Sequence, residues 1–265
     1  MPTLCLSCIV YTLEDKPVEG NQYIEIFVLW LIQLIKVKAL NSDDALQITI
    51  DERTFKYIKS QYISFPQITN RLPSITFNLM NSPKTHLEGM MMKYNSLDYT
   101  QDIYMYCDID IVILKSLHNL IDQMEPNKFY VMAEGSLLTP DYNAAFSKEK
   151  QLTFIKQDTG YSAGKFVITS QKIRDIIFNE IRGRCNFDTT FYTIDQPYFN
   201  CIMYELRNTP LLNTELFNSS YISFNGQKYN RDITVLFDCA GEPADGKKHI
   251  IKYVDFTALS VMNFF

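Results

Sequence analysis

Strand-like and helix-like runs alternate from the first residues of this chain. Leu4, Leu6 and Ile9 belong to an apolar stretch over residues 4–11, and a polar loop with Pro17 and Gly20 follows it. Residues 24–40 read as a buried helix, 46–50 as a second strand by their apolar–polar alternation, and 53–60 as a short helix. Parallel strands need a crossover connection, usually helical, rather than a tight turn. A β-α-β-α opening therefore predicts an α/β fold with a mostly parallel central sheet flanked by helices. With 265 residues the chain can bury a sizeable core, and no linker, repeat or low-complexity tract divides it. One domain over 1–265 is expected.

The same patterning continues. Strands are expected at 75–77, 103–107, 111–114, 129–133, 166–168, 221–224 and 234–237, and helices at 86–94, 116–124, 171–182 and from 195 to 204. Residues 134–157 read as a long polar loop, and 238–249 as a tail rich in Gly, Pro and charge. Apolar residues make up 46% and charged residues 21%, which excludes a disordered chain. The net charge of -5 leaves no basic footprint for nucleic acid. The most apolar run, 24–37, is broken by Glu25, Gln33 and Lys36 and falls short of the roughly 18–20 clean residues of a membrane span. No secretory signal is evident at the N-terminus. Cys5 and Cys8 form a lone C-x-x-C on a strand, so they should face opposite sides as ordinary buried thiols. A reducing, cytoplasmic setting fits the six scattered cysteines.

The sharpest feature is Asp108-Ile109-Asp110, the only D-x-D in the chain, set between two apolar runs. Carboxylates two apart on a strand face the same side. Side by side they repel unless a proton or a cation relieves them. A hard divalent ion does this. Magnesium takes one or two carboxylates together with phosphate oxygens and water, and manganese suits the same ligation. In open α/β sheets ligands bind outside the carboxyl ends of strands. The pair reads either as a site offering Mn2+ or Mg2+ to a diphosphate, or as a solvated turn.

The run from Tyr104 to Leu117, Y-M-Y-C-D-I-D-I-V-I-L-K-S-L, resembles the Y-L-D-A-D-T-V-V-L-K-x-L core of glycosyltransferase family 8, the glycogenin and lipopolysaccharide-galactosyltransferase group. The resemblance implies a GT-A fold, with a nucleotide-binding half over about 1–115 and an acceptor-side half over about 116–265. It implies transfer of a hexose, glucose or galactose, from a UDP-sugar to a glycan or protein acceptor, with retention and with manganese on Asp108 and Asp110. Tyr161 to Ile168, Y-S-A-G-K-F-V-I, is similar to the F-N-[SA]-G-V-x-x-[IL] segment that lines the donor sugar. This makes Ser162, Ala163 and Gly164 donor-binding, with Ser162 in place of the family's Asn. Asp195-Gln196, followed by Asn200, resembles the D-Q-x-x-x-N segment and implies catalytic roles for Asp195 and Gln196. Asp238-Cys-Ala-Gly241 resembles the H-x-x-G element, which puts Asp238 at the third metal ligand and Gly241 beside the donor. Lys247 and Lys248 stand for the lysine that contacts the diphosphate, Tyr11 and Thr12 for the residues holding uracil and ribose, and Lys84 for a donor-binding lysine. The family includes self-glycosylating members, and a homodimer is one assembly open to the chain.

Plainer readings stand beside these. Asp195 also suits a helix cap. Gly160 and Gly164 also suit turns, Lys247-Lys248 a solvated pair, His249 a structural role, and His118 the surface. Tyr142, Tyr161, Tyr198 and Tyr229 suggest an acceptor platform. Two other classes of function remain open at this point: a nucleotide-sugar-binding module without turnover, and a metal-dependent phosphohydrolase.

Overall fold

The computed structural model describes residues 1–253 apart from 96, 190, 218–220, 225–229, 231 and 240. The first half runs β1 (Leu4–Val10), α1 (Gln22–Lys36), β2 (Ala45–Asp51), α2 (Glu52–Gln61), α3 (Phe65–Thr69), β3 (Ser74–Met80), α4 (His86–Met91), β4 (Ile103–Cys107) and β5 (Ile111–Ile113). The second half runs α5 (His118–Ile121), β6 (Phe129–Ser136), α6 (Pro140–Asn143), α7 (Lys148–Gln151), β7 (Thr159–Ile168), α8 (Gln171–Arg184), α9 (Gln196–Leu206), β8 (Leu212–Asn213), β9 (Ile222–Phe224), β10 (Leu236–Asp238) and α10 (Ala244–Tyr253).

Seven strands form one sheet in the order β3-β2-β1-β4-β7-β6-β8, and β5, β10 and β9 form a smaller one. The expected parallel sheet is present: β1 pairs in parallel with β2 and β4, and β2 with β3. β7 runs antiparallel to β4 and β6. After β1 the chain builds outward through β2 and β3, then returns to place β4 on the other side of β1. The strand order therefore reverses between β1 and β4, and at such a switch point the two chains leave their strands in opposite directions and open a crevice.

The main sheet is packed on both faces. One face carries α1, with Trp30, Phe27 and Leu31, together with Leu6, Ile48 and Met105. The other carries α8 and α9, with Phe178 and Phe199 against Tyr104 and Phe166. Cys8 belongs to the first cluster and Cys5 to the second, so the two cysteines do face opposite sides as buried thiols. Burial pushes the Cys5 thiol up to about 12. Trp30 and Gln33 donate from α1 to the carbonyls of Ile111 and Ile113, which ties the small sheet to the large one. Among the described residues no helix is long and apolar enough to cross a membrane.

Several expectations need correction. β7 is ten residues long, where only residues 166–168 were expected, and Gly160 and Gly164 lie inside it rather than in turns. The extra strand pairs with β6, which runs on to Ser136 through two register shifts. Two one-turn helices, α6 and α7, interrupt the polar stretch after β6. The tail expected over 238–249 begins with β10 and ends in α10. His118, expected at the surface, is buried with its Nε2 2.8 Å from Asp44 Oδ2. Tyr161 and Tyr198 are buried in the core, so they form no acceptor platform; Tyr229 lies outside the described residues.

Candidate active site at the strand switch point

β4 ends at Cys107, and the next three residues make the turn that starts β5. The Ile111 amide donates to the Asp108 carbonyl (3.1 Å) and closes this turn. The Asp108 amide donates to the Gly164 carbonyl (2.8 Å), so the turn is anchored to β7. A side chain at position 164 would not fit: its Cβ would lie 2.7 Å from Asp108 Oδ2. This close approach is what requires glycine there. The Tyr106 hydroxyl donates to Asp108 Oδ1. Burial, opposed by the Lys93 ammonium and reinforced by Asp110, pushes the Asp108 carboxyl up to about 7. Its charge is thus under-compensated.

A cleft of about 650 Å3 opens beside this turn. Its walls include Tyr11 and Thr12 after β1, Asp108 and Asp110 after β4, Asn21 and Tyr23 at the start of α1, and His86 and Met90 of α4. Thr12 is held from three directions: its amide donates to Asp51 Oδ2 (2.9 Å), and its hydroxyl accepts from Asn21 (2.8 Å) and Thr54 (2.8 Å). The Tyr11 hydroxyl lies 3.2 Å from His86 Nδ1. The Thr12 wall of the cleft is therefore held rigidly.

Asp195 stands at the N-cap of α9 but caps nothing with its side chain. Its Oδ2 instead accepts from the Tyr94 hydroxyl (2.8 Å) and pairs with Lys93 Nζ (3.0 Å). The Lys93 ammonium also donates to the Ala163 carbonyl (3.2 Å) and sits 4.8 Å from the Tyr106 ring centroid. One buried lysine thus knits together the D-Q segment, β7 and the tyrosine that serves Asp108. Gln196 Oε1 accepts from the Ala163 amide (3.3 Å). Asn200 clamps Tyr161 from both sides, accepting from its amide (2.8 Å) and donating to its carbonyl (2.9 Å). Ile194, immediately before Asp195, has φ +56° and lines the cleft. For a β-branched residue this is a strained conformation, of the kind that persists where surrounding structure holds it.

The sequence-derived residues divide into groups. Asp108, Asp110, Tyr11 and Thr12 share the cleft wall, while Ser162, Ala163, Gly164, Asp195 and Gln196 lie directly behind Asp108. Lys247 reaches the D-x-D, with its Nζ 2.6 Å from Asp110 Oδ2. Burial would lower this ammonium, yet the Asp110 carboxylate beside it holds it above the usual lysine range. Lys248 points away from the turn to Glu25 (3.1 Å) and Asp245 (2.9 Å). Lys84 is exposed at the approach to α4 and is not among the described residues that line the cleft. Gly241 provides a left-handed turn, φ +85°, between β10 and α10. Asp238 is bonded to Lys165, with Nζ 2.5 Å from Oδ2.

The fit of a divalent cation follows from this donor set. Asp108 and Asp110 supply two hard carboxylates, and the elevated Asp108 carboxyl shows charge that a cation would relieve. Among the described residues no three His, Cys, Asp or Glu side chains converge into a cage. The residues fit an ion held by two carboxylates and completed by phosphate oxygens and water.

Sequence reasoning missed Lys93 and Lys165. A signal existed for each. Lys93 is the one charge beside Met90, Met91 and Tyr94, and Lys165 stands where the quoted F-N-[SA]-G-V pattern carries Val.

No protein-family model and no curated protein matches the sequence. Solved structures do. The galactosyltransferase LgtC, in complex with donor and acceptor sugar analogues, superposes with a TM-score of 0.57 over 97% of this chain and 98% of that one, at 12% identity. The bifunctional glycosyltransferase WbbM, in its apo form, gives 0.55 over 91% of this chain, at 12% identity. This chain spans 46% of that one, under half its length. Apo mouse xyloside xylosyltransferase 1 gives 0.53 at 8% identity, over 90% of this chain and 98% of that one. The fold is that of GT-A glycosyltransferases.

Proposed function

We propose that this chain is a metal-dependent, retaining glycosyltransferase that moves a hexose from a UDP-sugar to a glycan or protein acceptor. The observation that carries the reading is the meeting of Asp108 and Asp110 with Tyr11 and Thr12 in one cleft at the sheet's switch point. Nucleotide-binding α/β sheets use this location. The likeness in fold to three glycosyltransferases supports it.

In this reading Tyr11 and the loop behind it seat the nucleoside. Asp108 and Asp110 hold Mn2+ or Mg2+, which supplies counter-charge to a diphosphate leaving group. Lys247 exchanges its contact with Asp110 for the diphosphate and adds a fixed positive charge where negative charge develops. Asp195, held by Lys93 and Tyr94, and Gln196, held by Ala163, orient the sugar. Orientation of this kind replaces translational and rotational freedom that the free reactants would otherwise lose.

The test is UDP release. With Mn2+ and UDP-glucose or UDP-galactose the protein should hydrolyse donor slowly without acceptor, and Asp108→Ala should abolish this. Failure of every UDP-sugar to bind in calorimetry with Mn2+ present would defeat the reading. Binding without turnover across a donor and acceptor panel would make the chain a nucleotide-sugar-binding module instead.

A further inference from the structure

Position 194 is where the two halves of the chain meet at the cleft. Among the described residues, the other walls come from positions 9–23, 86–90 and 108–110, and Ile194 is the lining residue that the second half contributes. Its φ of +56° is one that a β-branched side chain resists. Relaxing to negative φ would swing the next two residues, Asp195 and Gln196, out of their places beside β7. Such a conformation lasts only where its surroundings fix the chain on both sides.

On the following side, Asp195 is bonded to Lys93 and Tyr94, and Gln196 to the Ala163 amide. The preceding side is fixed by Thr193. Its hydroxyl donates to the Asp141 carbonyl at 2.6 Å, across 52 positions of sequence. Gln196 Nε2 donates to the same carbonyl, more weakly, at 3.4 Å. A carbonyl oxygen has two lone pairs and can accept both. The Gln196 side chain is thereby held at each end, its nitrogen on Asp141 and its oxygen on Ala163.

Asp141 is itself well seated. It belongs to α6, and the next residue, Tyr142, lays its ring across Gly135 and Gly160. These two glycines are register partners in β6 and β7. The extended β6–β7 pairing thus gives α6 a firm base, and the Asp141 carbonyl passes that base on to the D-Q segment.

We propose that Thr193 is a positioning residue for sugar transfer. Its bond to the Asp141 carbonyl keeps the turn at Ile194 left-handed and so aims Asp195 and Gln196 at the donor sugar. The inference rests on reading the cleft as a UDP-sugar site in which those two side chains orient the hexose. Nucleoside and cation are held by other walls, so loss of the bond should slow turnover and spare donor binding.

The experiment measures UDP release by the full chain with Mn2+ and UDP-glucose or UDP-galactose, together with the melting temperature. Thr193→Val keeps the side-chain shape and removes the hydroxyl. It should lower kcat about tenfold or more, as a small misplacement of orienting groups does. Donor KM should stay within about twofold of wild type, the mark of an interaction made in the transition state. Thr193→Ser restores the hydroxyl and should recover most of the lost kcat. Thr193→Ala should behave as Thr193→Val does, and it decides the matter if Thr193→Val fails to fold. A hydroxyl that served stability alone would lower the melting temperature and leave kcat of the folded variant unchanged. That result overturns the proposal, as does a folded Thr193→Ser variant that recovers nothing. The donor reading fails separately, through absence of UDP-sugar binding to the wild-type chain, so the two failures are told apart.

Discussion

At the amino ends of the central strands, carboxylates are bonded to backbone. Asp44 accepts from the amides of Leu4 (2.8 Å) and Asn41 (2.6 Å) and from His118. Asp102 accepts from the Thr3 amide (2.9 Å) and hydroxyl (3.0 Å). At the carboxyl ends the same residue type lives differently. Asp108 is crowded by Asp110 and Asp195, while Asp110, Asp195 and Asp238 each lean on a lysine side chain. Asp51 is the informative exception. It ends β2 near the cleft but is saturated by the amides of Thr12 (2.9 Å) and Thr54 (3.1 Å) and by Ser82 (2.9 Å). Nearness to the cleft is therefore not what separates the two kinds. A carboxylate served by fixed backbone donors holds the fold, whereas Asp108, crowded by other carboxylates, and Asp110, paired with a lysine that keeps some contact with solvent, are the ones available to a ligand.

The contrast breaks most visibly at Asp108. Asp108→Asn should lower UDP release by about 100-fold or more, the scale seen when one preorganised electrostatic group is lost. It should also stabilise the ligand-free protein at high pH. The folded carboxyl sits near 7 against an ordinary value of 3.8, so ionising it opposes folding. Its stability contribution is intact below about pH 4 and lost as pH rises through 7. The variant should melt above wild type at pH 8, and the gap should close toward pH 4.

Asp44→Ala should do the reverse. It leaves the buried Leu4 amide without an acceptor, at about 1–3 kcal/mol, and takes one from the solvent-accessible Asn41 amide at smaller cost. The melting temperature should fall by several degrees while nucleotide affinity, read by calorimetry, stays unchanged; a loss of affinity would erase the distinction between the two ends. Gly164→Ala falls between them. Its Cβ would press on Asp108 Oδ2, so cation-supported nucleotide binding should weaken together with a stability loss of about 1–3 kcal/mol. The smallest effect is expected at Asp102. The Thr3 amide and hydroxyl hold its carboxyl below the usual range. Asp102→Asn should therefore lower the melting temperature slightly near neutral pH, with the difference vanishing as pH falls through the acid range.

Much of this architecture was legible in the residues themselves. The strands around the switch point have continuous apolar runs because both faces are covered, and β4 falls on the five residues expected. The D-x-D turn was legible because a polar pair interrupts such a run. The long β6–β7 pairing was not, because its glycines look like breakers. Gly135 and Gly160 are small so that the Tyr142 ring can lie against them, with a Cβ at either site meeting the ring at 2.2–2.4 Å. His118 looked like a surface residue because its partner, Asp44, lies 74 positions away. Lys84 resembles a donor-binding lysine by position, but it is exposed outside the lining of the cleft. Lys93, by contrast, is buried among apolar neighbours, and only three-dimensional pairing with Asp195 explains its charge.

The D-x-D turn is also the corner at which the chain leaves one sheet and enters the other. Cys107 is in register with β7, and Ile111 with β10, so three residues bridge two independently fixed frames. Gaining or losing a residue there would slide one sheet against the other. The corner's length is thus set by pairings in both sheets, a constraint that the cleft-lining segments after β1 and before α9 do not share.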